Sequence, residues 1–572
     1  TGRFQHQLNP YSDTTFYFLT IGPNPGQRIA TRQPGPASGL PAISAFDDYA
    51  CYERDTTNLI GSGRDWLGDY YGTYPQQFVP FQLPGRVAGA PVYTTLSAVG
   101  ASLSPSSFIV SLNNTVLVNA AFDAISSYRY APRGSARTVT QQTILPTTPD
   151  ELRLTLTYDR QGGSGGVAYL NYVAVQTRRE IRQYNVPKLV RGGRGSYTAR
   201  QATNELMIWD VSNPISPVQQ AYTLTGTQAT WNVADTASFY LHTLRNVGTP
   251  TAVYGIQNQN LRAEPTPNLL IFTPVAWREQ AERLAQFRRT NDKLTVLVAT
   301  TAQVYNEFSS GQPDVSAIRD AARFFARKQS GTDGPGTLRY LLLMGDASYD
   351  YRGKTKSLTP AQTANLIPTY ESRESLDPVR SFSSDDYFGF LKEEDGEWPE
   401  TYADNTHLDI GVGRLAVKTL AEARNVVDKL VRYALDKRLM GDWRTKLLLV
   451  ADDGDGNIHQ NDEDQLATLV EARHPEFRPE RLFLDAFKQD TITLAGQPAG
   501  LVTERAPTMN KAINRAIDEG QLIINYAGHG GESGWAQEQI VTVQDIFSWN
   551  NSRMPLFVTA TCEFGRYDNP NV

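Results

Sequence analysis

The pattern of apolar and polar positions changes character partway along the chain. Up to about residue 185, short runs alternate or are rich in β-branched residues, and turn residues separate them, as at 16–20, 92–96, 107–112 and 152–158. Such runs predict strands, and Asn113 and Asn114 between two of them predict a hairpin tip. The same pattern continues to residue 265. We therefore expect a β-sandwich-like N-terminal domain over 1–185 and a small β unit over 186–265.

Beyond Pro265-Thr-Pro267 the apolar runs alternate with amphipathic stretches. Expected strands at 269–272, 294–297 and 340–344 are interleaved with expected helices at 278–289 and 315–328. The alternation begins again at 447–450 and ends with two short apolar runs at 521–525 and 555–558. Alternation of this kind predicts parallel sheets covered by helices. We expect two side-by-side α/β units, over 266–440 and 441–572, in a multidomain chain.

A histidine motif and a cysteine motif directly follow the last two expected strands. They read Tyr526-Ala-Gly-His529-Gly-Gly531 and Thr559-Ala-Thr-Cys562-Glu-Phe-Gly565. In open parallel sheets the chemistry collects at the carboxyl ends of strands. Glycines beside His529 leave the imidazole open to a cleft. The motifs predict a nucleophile and base pair, Cys562 and His529, although a cysteine at a strand end can also be a small buried apolar residue.

Bulk composition excludes some classes of function. The chain has 572 residues, which is too long for one core, and 54 basic against 60 acidic residues give a net charge of −6. No basic stripe stands out, so nucleic acid is not an expected partner. No apolar run of membrane-spanning length occurs. Cys51 and Cys562 are the only cysteines and fall in different expected domains, so we expect two free thiols and no catalytic role for Cys51.

The two motifs, together with segments elsewhere, resemble the gingipain family of caspase-like cysteine peptidases. The other segments lie at 341–346, 384–388, 408–414 and 452–455. Two N-terminal segments, 9–13 and 63–66, resemble the sortases of the type IX secretion system within that family. The resemblance implies a caspase-like catalytic domain in which Cys562 attacks a carbonyl and His529 protonates the leaving amine. It also implies an oxyanion hole built from backbone N–H groups near Gly530 and Cys562.

The resemblance implies a function as well as a fold. A sortase of this kind is exported to the cell surface, removes the C-terminal secretion-signal domain of its protein substrates and joins the new end to anionic lipopolysaccharide. An outer-membrane β-barrel is an expected partner. Two alternatives remain open, a freely secreted gingipain-like endopeptidase and an inactive caspase-like scaffold. The chain begins without Met and stops ten residues after the cysteine, so we expect a processed chain whose second α/β unit is truncated.

Acidic residues are candidates for two further roles. The resemblance implies that Asp409 orients His529, whereas a turn carboxylate paired with Arg414 is the alternative. Glu532 and Glu563 are rivals by proximity in sequence and are read as solvated charges. Clustered carboxylates after the strand at 447–450, Asp452, Asp453 and Asp455, suggest either a structural calcium ion or caps of a helix N-terminus. No cofactor is expected to be required.

Overall fold

The structure is a computed structural model. It describes residues 3–36, 39–163, 165–251, 254–328, 338–395, 398–401, 406–493 and 502–570. A β-rich N-terminal half is followed by two α/β units, which confirms the expected multidomain α/β chain. Among the described residues, no helix has both the length and the apolar character needed to cross a bilayer.

The N-terminal half is built from strands. In chain order they are β1 (Ala30–Arg32), β2 (Ala42–Ile43), β3 (Ala45–Glu53), β4 (Tyr70–Tyr71), β5 (Gln76–Gln82), β6 (Pro91–Ala101), β7 (Ser106–Leu112), β8 (Thr115–Phe122), β9 (Ser135–Ile144), β10 (Glu151–Asp159), β11 (Val167–Glu180), β12 (Lys188–Gly192), β13 (Gly195–Ala199), β14 (Met207–Asp210), β15 (Val218–Gln220), β16 (Thr223–Thr225), β17 (Gln228–Val233) and β18 (Ala237–His242).

These strands form four sheets around two cores. The sheets β5-β10-β7-β8 and β3-β11-β6-β9 share a core that includes Tyr71 and Phe108. The sheets β1-β15-β14-β18-β12 and β16-β17-β13-β2 share a second core around Trp231. Strands β1 and β2 pair with β15 and β13. The second β unit therefore includes chain from before residue 185, a long-range pairing that local periodicity does not reveal.

The first α/β unit contains β19 (Leu269–Thr273), α1 (Arg278–Asn291), β20 (Val296–Thr300), α2 (Thr301–Phe308), α3 (Val315–Arg327), β21 (Tyr340–Met344), α4 (Pro360–Thr363), β22 (Tyr370–Glu371), β23 (Ser383–Ser384), β24 (Gly411–Leu415) and α5 (Leu420–Leu435). The second contains β25 (Lys446–Ala451), α6 (Gly454–Arg473), β26 (Arg478–Phe483), β27 (Asp490–Thr493), β28 (Val502–Arg505), α7 (Pro507–Glu519), β29 (Ile523–Ala527), β30 (Gly530–Gly531), β31 (Gly534–Trp535), β32 (Val541–Thr542), α8 (Val543–Ser548) and β33 (Leu556–Ala560).

Each α/β unit has one four-stranded parallel sheet. The strand orders are β20-β19-β21-β24 and β26-β25-β29-β33. All pairs within them are parallel. Helix α1 packs on the first sheet and against α5, and α6 packs on the second. Because all strands of a parallel sheet point the same way, the loops after them meet at one edge.

The segment at 63–66 docks the β-rich half onto the first α/β unit. The backbone N–H of Gly63 donates to Glu371 Oε2 at 2.9 Å, and that of Arg64 donates to the Ser372 carbonyl at 3.1 Å. Gly63 has φ +75°, and a Cβ there would lie 2.4 Å from the Glu374 carbonyl oxygen. Only glycine fits both the left-handed backbone and the close approach. This segment therefore serves as an interface between units.

The last described residues also link the units. Arg566 donates to the Gly61 carbonyl at 2.5 Å and to Glu532 Oε1 at 3.1 Å. The backbone N–H of Tyr349, in the first α/β unit, donates to the Asp568 carbonyl at 2.8 Å. The chain that follows the cysteine motif is thus fixed at once to the N-terminal half, to the histidine loop and to the first α/β unit.

A buried carboxyl behind β29 gives a pH-dependent stability. Glu463 on α6 is 2% exposed and accepts a hydrogen bond from Asn525 Nδ2 at 2.5 Å. Its Oε2 has no partner among the described residues. Burial raises the pKa of Glu463 from 4.5 to about 7. Between these two pH values the carboxyl of Glu463 is protonated in the folded chain and ionised in the unfolded chain. The contribution of the protonated carboxyl to stability is therefore present below pH 4.5 and is lost as the pH rises through about 7.

We expect Glu463→Gln, which mimics the protonated carboxyl, to stabilise the protein as the pH rises. The gain should approach about 3 kcal/mol at roughly pH 8 and be small near pH 4.5, since the raised pKa makes ionised Glu463 costly. Unfolding in urea across this pH range measures the gain. The matched control is Glu471→Gln on the same helix, because Arg481 lowers the pKa of that exposed carboxylate. An equal gain in both variants would contradict the assignment.

Candidate active site

Three adjacent strands of the second sheet end in register. Ala451 pairs with Ala527, and Ala527 pairs with Ala560. These alanines are the last residues of β25, β29 and β33. Neighbouring strands lie about 4.8 Å apart, so the loops that leave these strands begin side by side.

Each of the three loops supplies one chemically active side chain at its start. Asp452 is the first residue after β25, and His529 and Cys562 are each the second residue after β29 and β33. The structure therefore brings the two residues of the predicted pair to the same edge of the sheet. It also adds a carboxylate from the third strand.

The histidine and cysteine loops touch through their backbones. The N–H of Gly528 donates to the Ala560 carbonyl at 3.2 Å. A Cβ on Gly530 would lie 2.3 Å from Thr561 Oγ1 and 3.1 Å from the Cys562 carbonyl oxygen. Glycine at 530 is therefore required for the two loops to approach. The backbone N–H groups of Gly530 and Cys562 stay a prediction for the oxyanion hole.

Asp452 holds His529 at two points, the imidazole and the backbone. Its Oδ2 lies 3.0 Å from His529 Nδ1 and accepts the backbone N–H of His529 at 2.5 Å. Asp452 is 3% exposed, whereas the His529 side chain is 55% exposed, so a buried carboxylate meets an imidazole that stays open to solvent. A proton on Nδ1 shared with Asp452 leaves Nε2 as the basic nitrogen, the tautomer that a general base needs.

Asp409, the sequence-based candidate for that role, lies elsewhere. Its Oδ2 accepts the backbone N–H of Leu391 at 2.9 Å, and its Oδ1 is 3.7 Å from Lys392 Nζ. The residue precedes β24 and so stands near the amino end of a strand, whereas the site is at carboxyl ends. The structure does not support Asp409 as the partner of His529. Its expected alternative partner, Arg414, pairs instead with Asp385.

The two glutamates close to the motifs have other positions. Glu532 Oε1 accepts from Arg566 at 3.1 Å and from Asn569 at 2.7 Å, so it is structural and not a solvated rim charge. Glu563 has φ +54°, an unusual backbone for a residue with a side chain. This turn follows Cys562 immediately and leaves its side chain exposed. Strained turns of this kind are found where a nucleophile must be presented.

Two carboxylates of the acidic loop contact His529, and the third contacts another residue. Asp453 accepts from Gln489 Nε2 at 2.5 Å, and Asp455 Oδ2 lies 3.3 Å from His529 Nε2. Ligand atoms of Asp452, His459 and His529 lie within 4.8 Å of one another. Two of these three groups are imidazoles, which suit transition metals better than calcium. The calcium ion suggested at Asp452, Asp453 and Asp455 stays a prediction.

The two thiols differ in availability. Both cysteines are free, which confirms the expected absence of a disulfide between these described residues. Burial raises the pKa of the Cys51 thiol to about 11, so Cys51 is a weak nucleophile at neutral pH. Cys562 is exposed. The positions therefore favour Cys562 as the reactive thiol.

An aromatic cavity borders the cysteine loop. Its volume is about 720 Å³, and it lies between α5 and the edge strand β33. Trp535, Trp549, Phe557 and Phe564 line its apolar part, and Phe564 is two residues beyond Cys562. Apolar clefts with a few polar groups at the rim are the usual form of a binding site.

Comparisons with known proteins place this geometry in context. The crystal structure of dimeric latent PorU from Porphyromonas gingivalis is similar, with a TM-score of 0.60 and 23% identity, over 77% of this chain and 44% of PorU. This chain thus spans less than half of PorU, and at this identity the similarity shows a shared fold. The Arg-specific cysteine proteinase gingipain R matches with a TM-score of 0.35 and 14% identity, over 54% of this chain and 58% of the other. No curated protein matches.

A family model adds the evidence that the fold alone does not give. The model of peptidase family C25 matches residues 262–572, which contain both α/β units, the histidine motif and the cysteine motif. The match covers more than half of the chain. The chain therefore belongs to peptidase family C25, the gingipain family of cysteine peptidases.

Proposed function

We propose that this protein is a cysteine peptidase in which Cys562 is the nucleophile, His529 the general base and acid, and Asp452 the residue that orients the imidazole. The observation that carries the proposal is the Asp452–His529 pair, with Nδ1 and Oδ2 3.0 Å apart, in which His529 follows β29, the neighbour of the strand β33 that precedes Cys562. The membership in family C25 supports the same chemistry.

The first half of the reaction follows from these positions. His529 Nε2 takes the thiol proton as Cys562 Sγ attacks the peptide carbonyl carbon. Asp452 stabilises the imidazolium through Nδ1–H. Backbone N–H groups at Gly530 and Cys562 would stabilise the oxyanion. The imidazolium then gives its proton to the leaving amine, the C–N bond breaks and a thioester remains on Cys562.

The resting position of Asp455 must change during this step. Its Oδ2 lies 3.3 Å from His529 Nε2, the nitrogen that has to face the thiol. Asp455, Gly456 and Asn457 all have left-handed backbone angles at the start of α6. Asp455 is largely exposed, so moving its side chain into water costs little. Substrate entry therefore requires Asp455 to leave Nε2.

The second half of the reaction distinguishes a peptidase from a sortase. Water, or an amine or hydroxyl acceptor, attacks the thioester after giving its proton to His529, and Cys562 leaves as the thiolate. We propose that an acceptor is the physiological nucleophile. The substrates would be proteins with C-terminal secretion-signal domains, the acceptor anionic lipopolysaccharide and the location the bacterial cell surface, beside an outer-membrane β-barrel. The fold shared with PorU supports this proposal, because the similarity to PorU extends over 77% of this chain, which is more than the residues 262–572 matched by the peptidase family model.

We expect reaction products to carry an acceptor when one is supplied. Protein substrates with an intact C-terminal signal domain should react faster than short Arg or Lys peptides, because a sortase must shield its thioester from water. Mass spectrometry of the product, with and without an amine acceptor, measures the transfer. A product whose mass rises by the acceptor less one water, relative to the hydrolysed product, supports transpeptidation.

Cys562→Ala is the control for this experiment, and it should give neither product. Rapid cleavage of unrelated denatured proteins after Arg or Lys would instead identify a gingipain-like endopeptidase. An inactive scaffold would show no substrate cleavage and no dependence of Cys562 alkylation on His529.

A further inference from the structure

A second cluster of metal-binding side chains lies far from the candidate active site in sequence. Cys51 and Glu53 are two residues apart on β3, so their side chains point to the same face of the sheet. His6 reaches this face from the segment before the first strand. Ligand atoms of His6, Cys51 and Glu53 all lie within 4.8 Å of one another.

The surroundings hold these three side chains in a defined place. The side chains of His6 and Glu53 are each 14% exposed and in direct contact. The ring of Tyr172 lies 4.9 Å from the His6 ring, between centroids, and the ring of Tyr49 lies 6.1 Å from it. The Tyr49 hydroxyl is buried without a partner of ordinary hydrogen-bond geometry in the described part of the chain.

The donor set selects a class of ion. Imidazole nitrogen, thiolate sulfur and a single carboxylate oxygen are the ligands of zinc and its neighbours, whereas calcium and magnesium take oxygen ligands. Zinc bond lengths in a tetrahedral site require ligand atoms about 3.5 Å apart, and the ligand atoms of these three residues already lie within 4.8 Å of one another. His6 and Glu53 also line a cavity of about 250 Å³, which has room for water as a fourth ligand.

We propose that His6, Cys51 and Glu53 form a binding site for a divalent transition-metal ion of the zinc class. The ion would fix the N-terminal segment to β3 and close a loop from residue 6 to residue 51. The same segment continues to Tyr11, which is buried against the Tyr351 ring in the first α/β unit, with ring centroids 4.8 Å apart. The site thus anchors a segment that spans two units.

Cobalt provides a spectroscopic test on the full chain. In a Cys562→Ser background Cys51 is the only thiol. Co²⁺ should then give a near-ultraviolet thiolate charge-transfer band that saturates at one ion per chain, together with the visible bands of a tetrahedral ion. Adding Cys51→Ser should abolish the charge-transfer band. His6→Gln and Glu53→Gln should each weaken Co²⁺ binding by more than about 10-fold, the lower limit of what even an outer ligand partner contributes.

His474→Gln is the matched control, because His474 is an exposed histidine paired with Glu476, and it should leave the titration unchanged. A second readout is the melting temperature, which Zn²⁺ should raise in the Cys562→Ser chain and not after His6→Gln is added. The Cys562→Ser background also removes the thiol of the candidate active site. Absence of the charge-transfer band, or a band that persists unweakened in both His6→Gln and Glu53→Gln, would overturn the proposal.

Discussion

Replacing Cys562 with alanine is expected to abolish turnover while leaving the fold intact, because the side chain is exposed and packs into no core. His529→Ala should have a similar effect. Each loss should exceed about 10⁴-fold in kcat, and the double variant should lose little more, since residues that act as one unit are not additive. Steady-state kinetics on a signal-domain substrate measures all three variants, and circular dichroism checks their folding.

Thiol alkylation separates catalysis from structure in the same variants. Iodoacetamide should modify Cys562 quickly in the wild-type chain and slowly in His529→Ala, with half-buried Cys51 as an internal slow standard. His474→Ala is the matched histidine control and should behave as the wild type. Substantial turnover in Cys562→Ala would end the cysteine-peptidase assignment.

Asp452→Asn should cause the second largest loss, about 10²- to 10⁴-fold in kcat/KM, as found when the carboxylate behind a catalytic histidine is neutralised. An amide at this position can present N–H to Nδ1 and so favours the tautomer with a proton on Nε2, which cannot accept the thiol proton. In Asp452→Asn, the pH dependence of the Cys562 alkylation rate should change together with the loss of activity. A purely structural effect of the substitution would not change that pH dependence.

Two control substitutions make this prediction specific. Asp453→Asn removes a carboxylate of the same loop, one that contacts Gln489. Asp409→Asn removes the residue that the sequence suggested as the partner of His529. Both should retain activity within several-fold of the wild type. If Asp409→Asn lost more activity than Asp452→Asn, the orienting role assigned to Asp452 would be wrong.

The local pattern of apolar residues was sufficient to predict the strands that precede the site residues. The apolar run at 521–525 corresponds to β29 (Ile523–Ala527), and the run at 555–558 corresponds to β33 (Leu556–Ala560). Both motifs therefore fall at strand ends, as predicted. A short apolar run bounded by glycine and polar residues is enough to locate a buried parallel strand, although its end is uncertain by about two residues.

Strand order was the information that local pattern lacked. Which carboxylate meets His529 depends on β25 being the neighbour of β29 in the sheet, although α6, β26 and α7 lie between them in sequence. A usable signal was present, since Asp452 directly follows a buried strand of the same α/β unit. Asp409 lies in the other α/β unit. It was proposed from a resemblance between sequence segments, and such a resemblance carries no information about strand order.

The hydrogen bonds made by the last described residues limit how this protein can be divided into fragments. Arg566 and Asp568 follow the nucleophile closely and contact Gly61 and Tyr349, which belong to the other units. A fragment that starts at the second α/β unit would contain Asp452, His529 and Cys562 but would lose the partners that hold the chain beyond the thiol. Engineering of a minimal enzyme should therefore shorten surface loops and retain residues 61–66 and 346–350.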